Sequence, residues 1–509
     1  MKKHLLLFLS LGLVFSNCKK NDDTVIEEEE IVEETGEELI EANITVQNFM
    51  WQTMNAYYFW QSDVNDLTDD RFSTYADYTS YLSDFPDPTD FFYDELLFSE
   101  DKFSYLSENY RDLLNAFVGI SKSNGVEFGL SRFSDSDAIF GYVRYIVPNS
   151  DAASKEIKRG DIFTGVNGQT LTISNYEDLL FGDSNTYTLN MADIANNTIT
   201  PNDREVVLTK EDNLVEDPLL VSKILEVSGQ RIGYLMYNQF TGGSEAQLNQ
   251  AFGEFKSAEI TDLVLDLRYN LGGLGFTANV LASLIHSADE EELFYKVRYN
   301  DKIQGTLEPG FGETFFTATT GNANGNTNAP LNNLNLGRVF IIATDGSASS
   351  SELVMNSLAP YIEVVHIGTT TVGKNQGSAT FVDDPGNGNV YDEERENNIN
   401  PDNQWAIQPI IMLAENADGF SDYYNGLVPN IELEEDIENM GVLGDINEPL
   451  LARTLQEITG ASAKRTFNVH FPVNLITSSK MFTPMKDNLI IEKVPTALKS
   501  NLAIPFKNE

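Results

Sequence analysis

Cysteine is almost missing from this chain: a single one, Cys18, occurs in 509 residues. No disulfide can therefore form within the chain, and its stability has to come from a packed core. Basic residues are also scarce, 33 Lys and Arg against 78 Asp and Glu, for a formal net charge of −45. A surface of that sign repels phosphate backbones, which excludes nucleic acid as a partner. Histidine is limited to four residues. His4 belongs to the N-terminal apolar run, and the contexts of His286, His366 and His470 suggest buried, hydrogen-bonded side chains rather than catalytic ones. Neither a G-x-S-x-G turn nor an H-E-x-x-H helix is present, so a Ser–His–Asp triad and zinc hydrolysis both lack their usual framework. Asp383-Asp384-Pro385-Gly386 is acidic but lacks the spacing of a calcium loop. No metal and no organic cofactor is expected. Beyond the N-terminus no apolar run is long enough to cross a bilayer as a helix.

What is present begins with Lys2 and Lys3, an apolar run from Leu5 to Phe15, and a short stretch ending at Cys18. This pattern predicts a signal peptide over residues 1–18. A lone cysteine at its end resembles the bacterial lipoprotein box, which implies lipidation of Cys18 and display at the outer membrane or cell surface. Residues 19–42 are dense in Asp and Glu and read as a solvated tether. Over residues 43–117, Phe49, Met50, Thr53, Met54 and Tyr57 recur at helical spacing and predict a helical N-terminal domain, with Trp51 and Trp60 in its core. Short alternating strands follow over 118–212, and an alternation of apolar strands and helices over 213–460 predicts an α/β layer. Residues 461–509 form a tail of helical and strand texture without an interpretable motif.

The succession Val147-Pro148-Asn149-Ser150, Ala152-Ala153, Gly160-Asp161-Ile162 and Val166-Asn167-Gly168 resembles a PDZ domain. That resemblance implies a peptide C-terminus adding as a strand beside Phe128-Gly129-Leu130, its carboxylate held by loop N–H groups. Gly129, inside an apolar strand, marks a place where another backbone could approach closely.

The chemistry-bearing segments lie in the α/β layer. Ser349 and Glu352 in Asp345-Gly346-Ser347-Ala348-Ser349-Ser350-Ser351-Glu352 have the spacing of a helix capping box, which is a sufficient structural role by itself. Two further segments also follow apolar strands: Asp266-Leu267-Arg268-Tyr269-Asn270-Leu271-Gly272-Gly273 and Thr369-Thr370-Thr371-Val372-Gly373-Lys374. Three such loops at the carboxyl edge of one sheet can converge on a point. Together they resemble the carboxyl-terminal processing, or tail-specific, protease family, over roughly Gly119 to Leu433. The resemblance implies an α+β multidomain chain with a ClpP/crotonase-like protease core. It implies Ser349 as nucleophile and Lys374, 25 positions later, as its base. Glu352 is the motif glutamate, and Ser350 with Gly272 or Gly273 supplies the oxyanion donors. Where the family often has a Gln to orient the Lys, this chain has Ser378, with Gln376 nearby. Gly426-Leu427-Val428-Pro429-Asn430 resembles the family's closing G-x-x-P-D segment with Asn for Asp. A solvated lysine has a pKa of about 10.4, so Lys374 must be desolvated to act as a base. The implied activity is serine endopeptidase action on exported polypeptides recognised through their C-termini. The alternative is an inert peptide- or ligand-binding lipoprotein on the same fold.

Overall fold

The structure is a computed structural model that describes residues 44–133, 136–321 and 328–460, together with 467, 469, 471, 475–483, 489–490 and 494. The signal peptide, Cys18, the acidic tether, His4 and His470 lie outside the described residues.

The aromatic stripe forms α1 (Thr45–Tyr57). Its apolar residues are buried as the spacing predicts, Trp51 with them at 1% exposure. The indole N–H of Trp51 donates to the Asp66 carbonyl at 2.8 Å, and its ring meets Phe72 and Tyr78 edge-on. Trp60 is half-buried and stacks on Phe98. This helical region has no core of its own. Phe49, Met50 and Met54 belong to one hydrophobic cluster with Leu265, Leu281 and Ile341 of the α/β layer. Asn300, from that layer, donates its Nδ2 to the carbonyls of Ala56 and Tyr58 and so satisfies the end of the helix.

The β-rich unit contains β1 (Val126–Arg132), β2 (Ile139–Ile146), β3 (Ile162–Val166), α2 (Tyr176–Leu180), β4 (Thr186–Ala195) and β5 (Thr198–Thr209). It buries its own cluster, including Phe128, Leu130, Phe163 and Leu189. An antiparallel strand pair, Ile120–Ser123 with Glu211–Val215, connects it to the rest.

The α/β layer is built on β6 (Leu219–Val227), β7 (Gln230–Tyr237), β8 (Asp262–Asp266), β9 (Gly273–Leu274), β10 (Arg338–Ala343), β11 (Glu363–Gly368), β12 (Gln376–Ser378), β13 (Ile410–Glu415) and β14 (Ile431–Glu432). One sheet runs β6-β7-β8-β10-β11-β14, parallel from β7 onward. Its middle strands are apolar between their ends because both faces are covered. Leu263, Leu265 and Ile341 face the cluster shared with the N-terminal helices, whereas Val264, Phe340 and Ile342 face a second cluster with Leu450 and Leu455. Helices α3 (Glu245–Ser257), α4 (Gly275–Ile285) and α5 (Ser350–Leu358) accompany these strands.

The tail returns twice as strand. Residues Leu475–Ser478 form β15, which pairs antiparallel with β1, and Leu489–Ile490 form β16, which lies between β9 and β12.

Candidate active site

The carboxyl ends of β8, β10 and β11 lie side by side, and the loops leaving them are stitched together. Ser347 Oγ donates to the Leu267 carbonyl at 2.7 Å, Thr344 Oγ1 to that of Arg268 at 2.6 Å, and Ser351 Oγ to that of Asn270 at 2.8 Å. The Ala348 N–H also reaches Asn270 O, at 3.1 Å, and Val372 N–H reaches Ser347 O at 3.0 Å. Consecutive small hydroxyl residues can be buried at this junction because each hands its proton to a neighbouring loop carbonyl.

Ser349 is the exception. Its backbone sits at φ 58°, ψ −111°, a region costly for a residue with a Cβ. Its Oγ is fully buried without a hydrogen-bond partner. Ser349 and Glu352 are arranged as a capping box in which Glu352 accepts from the Ser349 N–H at 2.8 Å, but the serine hydroxyl falls short of a hydrogen bond of its own.

Glu352 does more than cap. The same Oε2 that accepts from Ser349 accepts the Lys374 N–H, also at 2.8 Å. The two backbone nitrogens can thus be no farther apart than twice that distance. Its Oε1 accepts from the Gly373 N–H at 2.7 Å and from Thr371 Oγ1. Burial pushes this carboxyl above the usual glutamate range, and the four donors pull it part of the way back. Lys374 is fully buried, with Nζ 5.0 Å from the centre of the Phe103 ring. Gly373 before it has φ 95°, and a Cβ there would strike Tyr424 O at 2.3 Å. Gln376 and Ser378 follow on β12, both buried, with Gln376 Oε1 unpartnered. Of the closing segment, Leu427 N–H donates to Thr371 Oγ1 and Asn430 Oδ1 accepts from the His366 N–H at 2.7 Å. Burial lowers the pKa of His366, whose Nε2 meets Ala343 O.

The two glycines differ. The Gly272 N–H already donates to Asn270 Oδ1 at 2.9 Å. Gly273 has φ 136°, its carbonyl accepts from Ser350 Oγ at 2.8 Å, and a Cβ there would meet Phe240 O at 2.2 Å. Ser350 opens α5, where the first N–H groups have no partner within the helix. Ser349, Ser350, Glu352, Gly273 and Lys374 are thus brought together, and Gly272 is turned to Asn270.

Phe128, Gly129 and Leu130 lie apart, on β1. Phe128 and Leu130 belong to the core of the β-rich unit, so only their backbone faces outward along the strand edge. Gly129 makes room for a side chain rather than a backbone: a Cβ would stand 2.4 Å from the Tyr142 ring. The loop before β1 uses its donors locally, Gly125 N–H on Ser123 Oγ and Val126 N–H on Asn124 Oδ1, both at 3.0 Å. That differs from a loop holding a terminal carboxylate with its N–H groups.

Sequence reasoning also missed a buried ion cluster behind the site. Arg268 is fully buried, with Asp266 on Nε and Nη2, Glu448 on both Nη atoms at 2.7 and 3.1 Å, and Glu435 at 3.0 Å. The signal was a charged pair, Asp266 and Arg268, at the end of an otherwise apolar strand. Among the described residues, no group of His, Cys, Asp and Glu is arranged to hold a metal ion.

Residues 231–411 match the family model described as peptidase family S41, and residues 45–105 match the peptidase S41 N-terminal domain. The chain carries an S41 peptidase domain. Ser349 and Lys374 both lie within the longer match, and the β-rich unit falls between the two matched segments. The chain is similar to a carboxyl-terminal-processing protease of Picosynechococcus sp., 26% identical over 180 residues, covering 35% of this chain and 37% of that one. The chain is also similar to the chloroplastic carboxyl-terminal-processing peptidase 3 of Arabidopsis thaliana, 25% identical over 279 residues, covering 51% and 50%. The chain thus spans half or less of the length of these curated relatives. A solved structure from Bacteroides fragilis, assigned to the S41 proteases, aligns over 81% of this chain and 97% of its own, with 25% identity and a TM-score of 0.60.

Proposed function

We propose that this S41 chain is a serine endopeptidase of the carboxyl-terminal processing type, acting on exported polypeptides through Ser349 and Lys374. One observation carries the reading: a single buried oxygen of Glu352 accepts from the backbones of both residues, beside a serine hydroxyl that is buried and unpartnered. A mere helix cap would leave neither the strain at Ser349 nor its idle Oγ.

In the reaction, Ser349 Oγ attacks the scissile carbonyl carbon while its proton passes to the neutral Lys374 amine. The carbonyl oxygen takes up the charge and is received by the N–H groups of Ser350 and Gly273, the former at the positive end of α5. Collapse of the intermediate breaks the C–N bond, and the departing amine takes the proton from the Lys374 ammonium. Water then attacks the acyl ester by the same proton route and restores Ser349. Polypeptide is held by strand addition on the PDZ-like β-rich unit. The same proposal places the chain at the outer membrane or cell surface through a lipid on Cys18.

An inert binding protein is the competing reading, favoured by Ser378 standing where the family often carries Gln. Casein digestion by the wild type should be abolished in Ser349→Ala and in Lys374→Ala, both still folded. Cys18→Ser should move the active protein from the membrane fraction to the soluble one. Digestion surviving both active-site replacements would remove the dyad, and digestion by none of the proteins would favour the inert reading. Unchanged membrane fractionation would remove the anchor.

A further inference from the structure

The strand edge of β1, where the PDZ resemblance seats a peptide, is occupied by the chain's own tail. β15 pairs antiparallel with it, Leu475 opposite Ser131, Thr477 opposite Leu130 and Ser478 opposite Gly129. Three side chains that follow are specifically received. The Ser479 hydroxyl accepts from the Phe128 N–H at 2.9 Å and donates to Glu127 Oε2 at 2.6 Å. Lys480 is 7% exposed, donates to Asn238 O at 3.0 Å, lies 3.7 Å from Glu216 and sits over the Tyr145 ring. Phe482 lies flat on Phe181 just past α2, with centroids 3.7 Å apart and planes 10° from parallel, and meets Tyr176 edge-on. Between this segment and the loop before β1 a cavity of about 670 Å³ remains, lined by Lys122, Asn124 and Lys210 among others. Farther along, β16 pairs in parallel with Gly273–Leu274, and Ile490 pairs with Ser378. The tail therefore contacts both places a polypeptide would use, the strand edge and the cleft beside the oxyanion donors. Both Ser349 and Lys374 are at 0% exposure.

We propose that residues 475–483 are the resident ligand of the β1 groove, that the groove selects an internal hydroxyl–cation–x–aromatic segment (Ser479, Lys480, Phe482), and that a polypeptide must displace this segment to be engaged. The selection follows from the chemistry of each contact. A hydroxyl both accepts from a strand-edge N–H and donates to a carboxylate. A cation is paired with the half-buried Glu216 carboxylate, and an aromatic ring covers another. An internal segment suits a loop whose N–H donors are already taken. The displacement clause rests on the peptidase reading; the occupancy and selectivity do not.

The test uses the full chain carrying Ser349→Ala, with and without Lys480→Ala and Phe482→Ala in the tail. A labelled peptide of sequence Leu475 to Thr483 is titrated and its anisotropy measured. At least tenfold tighter binding to the chain with the altered tail is expected, and a peptide carrying the same two replacements should not compete. Hydrogen exchange should show the Phe128 N–H protected with the native tail and faster with the altered one. Should the double replacement unfold the chain, Phe482→Leu alone serves with the same two readouts. Equal affinity for both chains, equal competition by the altered peptide, or unchanged Phe128 exchange would overturn the proposal. Neither readout needs turnover, so an inactive wild type would sink the peptidase reading and leave this one standing.

Discussion

Glu352 shows how one side chain fixes the geometry of two others without reacting. Its two oxygens receive four donors, from Ser349, Lys374, Gly373 and Thr371. A glutamine of the same shape has one oxygen and one NH₂, so it must turn a donor toward two donors. A buried donor left unmade costs about 1–3 kcal/mol, and the strained turn at Ser349 loses its restraint. Glu352→Gln is therefore expected to lower the unfolding free energy by about 2–3 kcal/mol. It should also lower kcat on a peptide substrate by a hundredfold or more, with KM changed little, since the loss falls on alignment and not on binding. Denaturant unfolding and steady-state kinetics on the same preparation check this. A kcat within threefold of wild type would mean that the dyad is held by other contacts.

At the scale of elements, the convergence of the three loops was legible and the occupancy of the strand edge was not. Asp266 to Gly273, Asp345 to Glu352 and Thr369 to Lys374 each follow an apolar strand, and parallel strands bring such loop ends to one edge whatever their separation in sequence. The stripe of Phe49, Met50 and Met54 announced a buried helix face, but periodicity says nothing of whose core that face enters. Pairing of β15 with β1 joins residues more than 300 positions apart, and strand addition uses backbone groups that every sequence possesses. Glu127 was equally silent, being one acidic residue in an apolar strand. It now faces Glu216, Lys480, Arg144 and the Ser479 hydroxyl, and burial together with the Glu216 charge pushes it up to about 7. A carboxyl raised in the folded state binds its proton more tightly there than in the unfolded chain. Its contribution is thus complete at low pH and is lost as pH rises through the folded value. Wild type should lose up to about 3 kcal/mol relative to Glu127→Gln between about pH 4.5 and about pH 7, with no further divergence above. Denaturation midpoints measured across pH 4–8 test it, and parallel profiles for the two proteins would refute it.

For the whole molecule, the Arg268 cluster is a joint between the β-rich unit and the α/β layer. Arg268 sits in the loop whose carbonyls hold the Ser349 turn, and its partners come from elsewhere: Glu435 after the closing segment and Glu448 at the start of the C-terminal helix Pro449–Thr459. Arg159, from the β-rich unit, reaches the same Glu435 at 2.6 Å and the Tyr269 hydroxyl at 2.7 Å. Burial would raise the Glu435 carboxyl, but the guanidinium groups of Arg159 and Arg268 outweigh it and hold it at about 2. Replacing Arg268 by Met leaves Asp266, Glu435 and Glu448 buried with one nearby guanidinium between them. Breaking a buried pair in this way costs about 3–5 kcal/mol. The sign of the pH dependence follows from Glu435. A depressed carboxyl stabilises above its unfolded pKa and loses that contribution as pH falls toward 2. Because Arg268→Met removes that contribution, its cost should be largest near pH 7 and shrink as pH falls from about 4.5 toward about 2. Since the Thr344 and Ser347 hydroxyls lean on the Arg268 and Leu267 carbonyls, peptidase activity should fall with stability, and exchange in the β-rich unit should quicken at Arg159. A stability loss below about 1 kcal/mol at pH 7, or one that grows on acidification, would show that the cluster is not what locks the β-rich unit to the α/β layer.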